Sequence, residues 1–218
     1  MIDRSRRGSK PTTEEVGDIR KPHPGRKLTE QEFVDWCTEY THAEWVNGEV
    51  IIMSPVNWNH ADINAWLVSL IHEFVEFYDS GYVVGSGVQM RLANIVSRRE
   101  ADLLFVSKQR EDIIRPTYLN GPADLVLEIV SPESVARDWR EKHAEYAKGG
   151  VREYWVVDPA SRRVEVYVLT RSKTYKLIEE KDGKVSSSVL KGLYIRPEWL
   201  WQPKLPKISE GAKELGLR

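Results

Sequence analysis

The sequence predicts one α/β domain whose mixed β-sheet is flanked by helices and extended by a β-hairpin. Three observations lead there. An apolar run at 124–130 passes through a helical stretch into a second apolar run at 154–157, a strand–helix–strand passage that requires parallel pairing. An Asn47-Gly48 pair between two short apolar segments marks a tight hairpin. A long amphipathic segment, with Ile63, Trp66, Leu67, Leu70, Ile71, Phe74 and Tyr78 on one stripe, supplies a helix that can cover a sheet face.

Composition bounds the rest. With 218 residues, 41% hydrophobic, the chain is long enough for one well-buried domain plus tails, and two independent domains would be tight. The formal net charge of −1 gives no overall attraction for nucleic acid, so any polyanion site must be local. A single cysteine, Cys37, rules out an internal disulfide framework or a cysteine-based metal site and fits a reducing, cytoplasmic setting. No apolar run approaches the ~18 residues of a membrane span, so no membrane partner is expected. No Walker loop or dinucleotide glycine fingerprint is visible, so no nucleotide cofactor is expected, and no Ser/His/Asp arrangement suggests nucleophilic catalysis.

Taken in order, residues 1–27 carry eight Lys/Arg against four Asp/Glu and read as a flexible arm, with phosphate binding as the alternative. The folded domain is expected at 28–202, followed by a polar tail at 203–218 with room for a terminal helix. Thr29 and Glu32 form a capping box that opens a short helix through Tyr40. The hairpin strands follow at 44–46 and 49–53. Asn59 is expected to cap the amphipathic helix, which runs to about Tyr78, and a strand is expected at 82–92. Two central strands at 101–106 and 124–130 are joined by a polar loop with Pro116, Asn120 and Gly121. A helix at 133–148 has Pro132 early and Gly149-Gly150 past its end. Strands at 154–157, 164–169 and 174–178 complete the pattern, with turns at Asp158-Pro159 and Lys181-Asp182-Gly183.

One residue is out of place. Val135, Trp139 and Tyr146 form the apolar stripe of the 133–148 helix, and Lys142 falls on that stripe. A lysine turned towards a core is costly unless something negative meets it. The preceding strand carries Glu128 on one face with Asp124, Val126 and Val130. A rise of ~3.3 Å per strand residue and ~1.5 Å per helix residue brings Glu128 and Lys142 to similar depth. With Asp102 at the start of the neighbouring strand, two carboxylates and a lysine suit a divalent cation and a water nucleophile. A buried Glu128–Lys142 salt bridge with no other role fits the spacing equally well.

A set of linked motifs adds to this reading. They are Glu44-Trp-Val-Asn-Gly48-Glu, Met53-Ser-Pro55 and His60, then Ala101-Asp102-Leu-Leu-Phe-Val and Pro122-Ala-Asp124-Leu-Val-Leu-Glu128-Ile-Val-Ser-Pro132. Asp138-x-x-x-Lys142-x-x-x-Tyr146 and Gly150-Val-Arg-Glu153-Tyr-Trp155-Val-Val-Asp158-Pro follow. Over about residues 28–195 this order resembles a bacterial restriction-endonuclease family, once a domain of unknown function, within the PD-(D/E)XK nuclease superfamily. The resemblance implies a restriction-endonuclease-like fold and a Mg²⁺ (or Mn²⁺)-dependent endonuclease acting on DNA. It implies metal binding by Asp102, Glu128 and the backbone carbonyl of Ile129. The superfamily's usual lysine position is occupied by Val130, and Lys142 fits a lysine relocated to the next helix, giving the catalytic set Asp102, Glu128 and Lys142. Ala101 stands where the name-giving motif has proline, which is not a ligand.

Other residues have competing roles. Glu44 is an extra acid near the metal or an exposed hairpin charge. His60 contacts phosphate or substrate, or serves capping and packing. Asp138, one turn before Lys142, is expected to pair with it. Asp124 reads as a turn acid, Tyr146 and Trp155 as packing residues, and Arg98, Arg99, Arg137 and Arg140 as solvated arginines that could touch a DNA backbone. A homodimer is expected, since cutting duplex DNA often pairs two active sites. The rival readings are a non-catalytic interaction module with a nuclease fold and an RNA nuclease.

Overall fold

The computed structural model describes residues 25–38, 41–131 and 137–217, without the side chains of 137–139. The first 24 residues, most of the expected arm, lie outside the described residues, as do Pro132 and Val135. Thr29 caps α1 (Glu30–Trp36) through the reciprocal capping box with Glu32. The helix stops short of Tyr40, because Cys37 already has extended backbone angles. Asn47 and Gly48 take positive φ, 49° and 90°, and turn β1 (Ala43–Val46) into β2 (Glu49–Ile52).

The amphipathic helix α2 (Trp58–Phe77) begins two residues earlier than expected. Asn57, not Asn59, is its cap: the Asn57 side chain accepts the His60 N–H at 2.9 Å. The expected 82–92 strand is two strands in different sheets, β3 (Gly81–Gly85) and β4 (Gln89–Leu92), parted by a turn in which Gly87 has φ +103°. A further strand, β5 (Ser97–Glu100), has a Ser-Arg-Arg-Glu sequence without apolar alternation, yet all four residues are buried.

After β6 (Leu103–Ser107), β7 (Tyr118–Leu119) and β8 (Leu125–Ile129), the crossover expected as one regular helix is a π-helical turn, Arg137–Lys142, running into α3 (His143–Gly149). Gly150, at φ +98°, ends it in the left-handed conformation. The strands β9 (Glu153–Asp158), β10 (Arg163–Leu169) and β11 (Tyr175–Ile178) then complete a six-stranded sheet of order β11-β10-β9-β8-β6-β3. Within it β8 and β9 are parallel and the other pairs antiparallel, so the sheet is mixed. The hairpin belongs to a second, five-stranded sheet of order β2-β1-β5-β4-β7.

Alternation along the six-stranded sheet separates two cores. Leu103, Phe105, Leu125, Leu127 and Ile129 meet the α2 stripe. Leu104, Val106, Val126 and Val130 face Tyr146 of α3 together with Met90 and Leu92 of the five-stranded sheet. The segment expected as a polar tail carries α5 (Ile208–Glu214), after β12 (Val185–Ser186), β13 (Tyr194–Ile195) and α4 (Pro197–Leu200). Ala212, Leu215 and Leu217 join the α2 core, and the Trp66 indole N–H donates to the Pro206 carbonyl at 2.7 Å. Among the described residues, no helix is long and apolar enough to cross a membrane.

Candidate active site

The chain crosses from one sheet to the other between β5 and β6, and Asp102 stands at that crossing. Leu103 pairs with Leu127 and Leu104 with Val126, so one step further the register sets Asp102 opposite Glu128. The ladder ends there, and the Asp102 carboxylate takes the place of a backbone acceptor: its Oδ2 receives the Ile129 N–H at 2.7 Å. Its Oδ1 lies 3.0 Å from His60 Nε2. A hydrogen bond between the two has Nε2–H donating and the carboxylate accepting. His60 thus meets the first acid directly, and its backbone is capped by Asn57 rather than serving as a cap.

Lys142 does reach Glu128. Its ammonium lies 2.8 Å from Glu128 Oε1 and 3.3 Å from Glu44 Oε1, with only 1% of the side chain exposed. Glu44, far from being an exposed hairpin charge, is completely buried. Its Oε2 receives Arg99 at 2.7 Å, and its Oε1 receives the Glu100 N–H at 3.2 Å. The other side of the Arg99 guanidinium forms a two-point bridge to Glu145 of α3, at 2.9 and 2.8 Å. Arg98 and Arg99, read as solvated, are therefore buried: Arg98 bonds Glu30 and lies over the Tyr118 ring. Their signal was missed because a Ser-Arg-Arg-Glu string looks like surface until a second sheet closes over it.

Tyr146 packs, as expected, but also donates its hydroxyl to Glu128 Oε1 at 2.6 Å. Burial first, then the charge of Glu128, pushes its hydroxyl well above the ordinary 10.0, which keeps it a donor. Burial works to lower the pKa of the Arg99 guanidinium, but Glu44 and Glu145 outweigh it and leave it raised above its ordinary value. Asp138 has no described side chain, so the expected pairing with Lys142 lies outside the described residues, as do the side chains of Arg137 and Trp139. Arg140 is exposed. Asp124 is not a turn acid: it is buried and accepts the Ser107 N–H, Arg110 and Arg152. Trp155 is buried and donates to Glu153 at 2.7 Å.

The network opens to solvent on its Asp102 side. A cleft of about 530 Å³ is lined by His42, Met53, Ser54, Pro55, Val56, His60, Ala61, Asn64, Ala65, Ser86, Glu100 and Asp102. Within its lining, His42 Nδ1 lies 3.1 Å from Glu100 Oε1. A slightly larger hollow between β10 and β11 lies away from this chemistry and is lined mainly by aliphatic and hydroxyl side chains. The cleft beside Asp102 is the one that joins acids to open space.

The donor chemistry can be tested against a divalent cation. Among the described residues, no three His, Cys, Asp or Glu side chains converge in a metal cage. Magnesium does not need one, since it usually takes one or two carboxylates and completes its shell with waters and phosphate oxygens. Arg99 and Lys142 bridge Glu44, Glu128 and Glu145, while Glu100 and Asp102 meet His42 and His60, so five carboxylates face two permanent cations, a balance that a hard cation offsets. Asp102 accepts from His60 and from the Ile129 N–H, fewer than the roughly four lone pairs of a carboxylate. The residues fit a magnesium-type ion and not a closed zinc site.

A mixed α/β fold, its central sheet covered by α2 on one face and by α3 and the second sheet on the other, places Asp102 and Glu128 side by side where two central strands meet. The chain belongs to the Uma2 family, described as "Putative restriction endonuclease", whose model matches residues 30–198. It is similar in fold to a crystal structure described as "a putative nuclease belonging to DUF820" from Anabaena variabilis, with a TM-score of 0.67 and 19% identity, covering 80% of this chain and 97% of that one. A type IIG restriction endonuclease, BpuSI, aligns at a TM-score of 0.34 and 12% identity over 57% of this chain and 14% of that one. No curated protein matches the sequence.

Proposed function

We propose that the chain is a divalent-metal-dependent endonuclease that hydrolyses phosphodiester bonds in DNA. The observation that carries this reading is the buried acid–acid–lysine set, Glu128 and Glu44 with Lys142, standing behind Asp102 in the lining of an open cleft. Asp102, Glu128 and the Ile129 carbonyl would hold Mg²⁺ or Mn²⁺. When bound, such an ion activates water and stabilises charge on a phosphoryl oxygen.

The chain's own residues do the remaining work. The Ile129 N–H and His60 fix both oxygens of Asp102, so this acid needs no reorganisation to receive a ligand. Lys142 and Tyr146 both donate to Glu128 Oε1 and hold that carboxylate in one orientation. Arg99 does the same for Glu44. Lys142 supplies the positive charge proposed to assist beside the scissile phosphate. Asp138 would add a further acid next to it. A homodimer pairing two such sites, acting in the cytoplasm, completes the proposal.

The near-complete burial of Lys142 and Glu128 favours a second reading, an interaction module in which the network only supports the fold. Supercoiled plasmid with Mg²⁺ or Mn²⁺ separates the two. Asp102→Asn is the decisive variant, because its amide oxygen still accepts the Ile129 N–H and the Lys142 contacts to Glu44 and Glu128 stay in place, the His60 contact being the one it alters. Nicking by the native protein should vanish in Asp102→Asn while the variant remains folded in a melting curve. Cleavage that survives in Asp102→Asn sinks the nuclease assignment, and saturable Mn²⁺ binding lost in Glu128→Gln counts against the module. Competition between DNA and RNA substrates decides whether the enzyme is instead an RNA nuclease, and light scattering at micromolar concentration checks the dimer.

A further inference from the structure

We propose that Trp58 is a base-stacking residue at the mouth of the cleft, recognising an unpaired nucleobase of the substrate strand. This rests on the nuclease reading and adds to it the form of strand that is recognised. Trp58 opens α2 and is 86% exposed, an extreme value for the largest apolar side chain. Its position along the helix gives that exposure a direction. Residues three and seven positions on share its face, and these are Ala61 and Ala65, both of which line the cleft. One row of the helix therefore runs as two small residues along the cleft wall and an indole at the end of it. Helical side chains lean towards the N-terminus, away from the alanines and towards the mouth.

Away from Asp102 the cleft lining offers a base an apolar surface. Among the described residues that line the cleft there is no lysine or arginine. Pro55, Val56, Ala61 and Ala65 line it together with Glu100 and Asp102. Such a cleft offers flat apolar surface to rings and little positive charge to a backbone. Val56, two residues before Trp58 and itself in the cleft lining, is also 57% exposed, which adds apolar surface at the start of the helix. Every base has a π-face, so stacking on tryptophan tolerates sequence while requiring that the base be free of its duplex partner. A second copy of the chain covering the same surface is the competing occupant, and the experiment distinguishes it.

The full chain is titrated, in Ca²⁺ to prevent cleavage, with a fluorescein-labelled single-stranded DNA of about a dozen nucleotides, within the ~4–16 that one binding fold covers. Trp58→Ala is expected to weaken binding roughly 5- to 150-fold, the range that base–aromatic stacking supports, while Trp58→Phe retains most of the affinity. The same strand carrying abasic sugars should bind native and Trp58→Ala protein alike. Equal affinity of native and Trp58→Ala protein for the intact strand overturns the proposal and leaves the nuclease reading standing. A native dimer that Trp58→Ala converts to a monomer in light scattering also overturns it, because this surface is then a subunit interface. Failure of the native protein to bind the single strand overturns this proposal, while the nuclease reading stands or falls on plasmid cleavage.

Discussion

At the scale of single residues, the centre of the protein is a chain of charges with little access to water. Glu128 is 4% exposed and is held by an ammonium and a phenol at once. Removing the phenol alone is the cleaner probe of its cost. Tyr146→Phe should destabilise by about 1.5–3 kcal/mol, the usual worth of a hydrogen bond to a charged group. For a chain of this size that lowers Tm by about 3–12 °C, which scanning calorimetry can read. Removing Lys142 is a different matter. It leaves Glu44 and Glu128 buried without their shared ammonium, a break that costs about 3–5 kcal/mol in buried pairs. Loss of activity in a Lys142 variant therefore reports on folding as well as chemistry, which is why Asp102→Asn is the better test.

At the scale of elements, the site is made by junctions rather than by any one strand or helix. β1 brings Glu44, β5 brings Arg99, β8 brings Glu128, and the π-helical turn and α3 bring Lys142, Glu145 and Tyr146. A π-turn shifts the side chains that follow it relative to α-helical spacing, and such turns recur at functional sites. The six-stranded sheet that carries β8 depends in turn on its edge. Gly81 begins edge strand β3 with φ +155°, and a Cβ there would stand 2.1 Å from the Val106 carbonyl oxygen. Backbone cannot give way as a side chain tip can. Gly81→Ala should cost at least about 3 kcal/mol in denaturant titration, among the larger single-substitution effects. Gly85→Ala at the other end of the strand meets Val68 at 3.6 Å and the Asp102 carbonyl oxygen at 3.9 Å, both ordinary contacts, and should be neutral or slightly stabilising.

At the scale of the whole molecule, a second buried acid couples the sheet to its loops. Asp124 accepts the Ser107 N–H at the end of β6, Arg110 in the loop after it and Arg152 ahead of β9. Burial works to raise its pKa, but these donors outweigh it and hold the carboxyl below the ordinary 3.8. A depressed folded pKa adds stability that is fully present above the unfolded value and is lost as the pH falls through the folded one. The acid limb of the stability curve should therefore steepen below about pH 3.8. Asp124→Asn should lower Tm at neutral pH and flatten that limb, which melting curves across the acid range will reveal; an unchanged limb would show that Asp124 does not set it.

Much of this was legible in the sequence by itself. The Asn47-Gly48 turn, the Thr29 capping box, the α2 stripe and the parallel β8–β9 crossover each rest on local periodicity or on a residue with one favoured conformation. So did the meeting of Lys142 with Glu128, since strand and helix rises alone bring them to one depth. Other features needed the folded chain. The splitting of residues 82–92 between two sheets, the burial of Ser97–Glu100 and the pairing of Glu44 with Arg99 and Lys142 have no local signature. Burial of a polar strand is decided by what closes over it, and a charge reads as surface until its partner arrives from a distant element. The sequence by itself determined the elements and the acids; the packing of one sheet against the other decided which charges are buried together and which face the cleft.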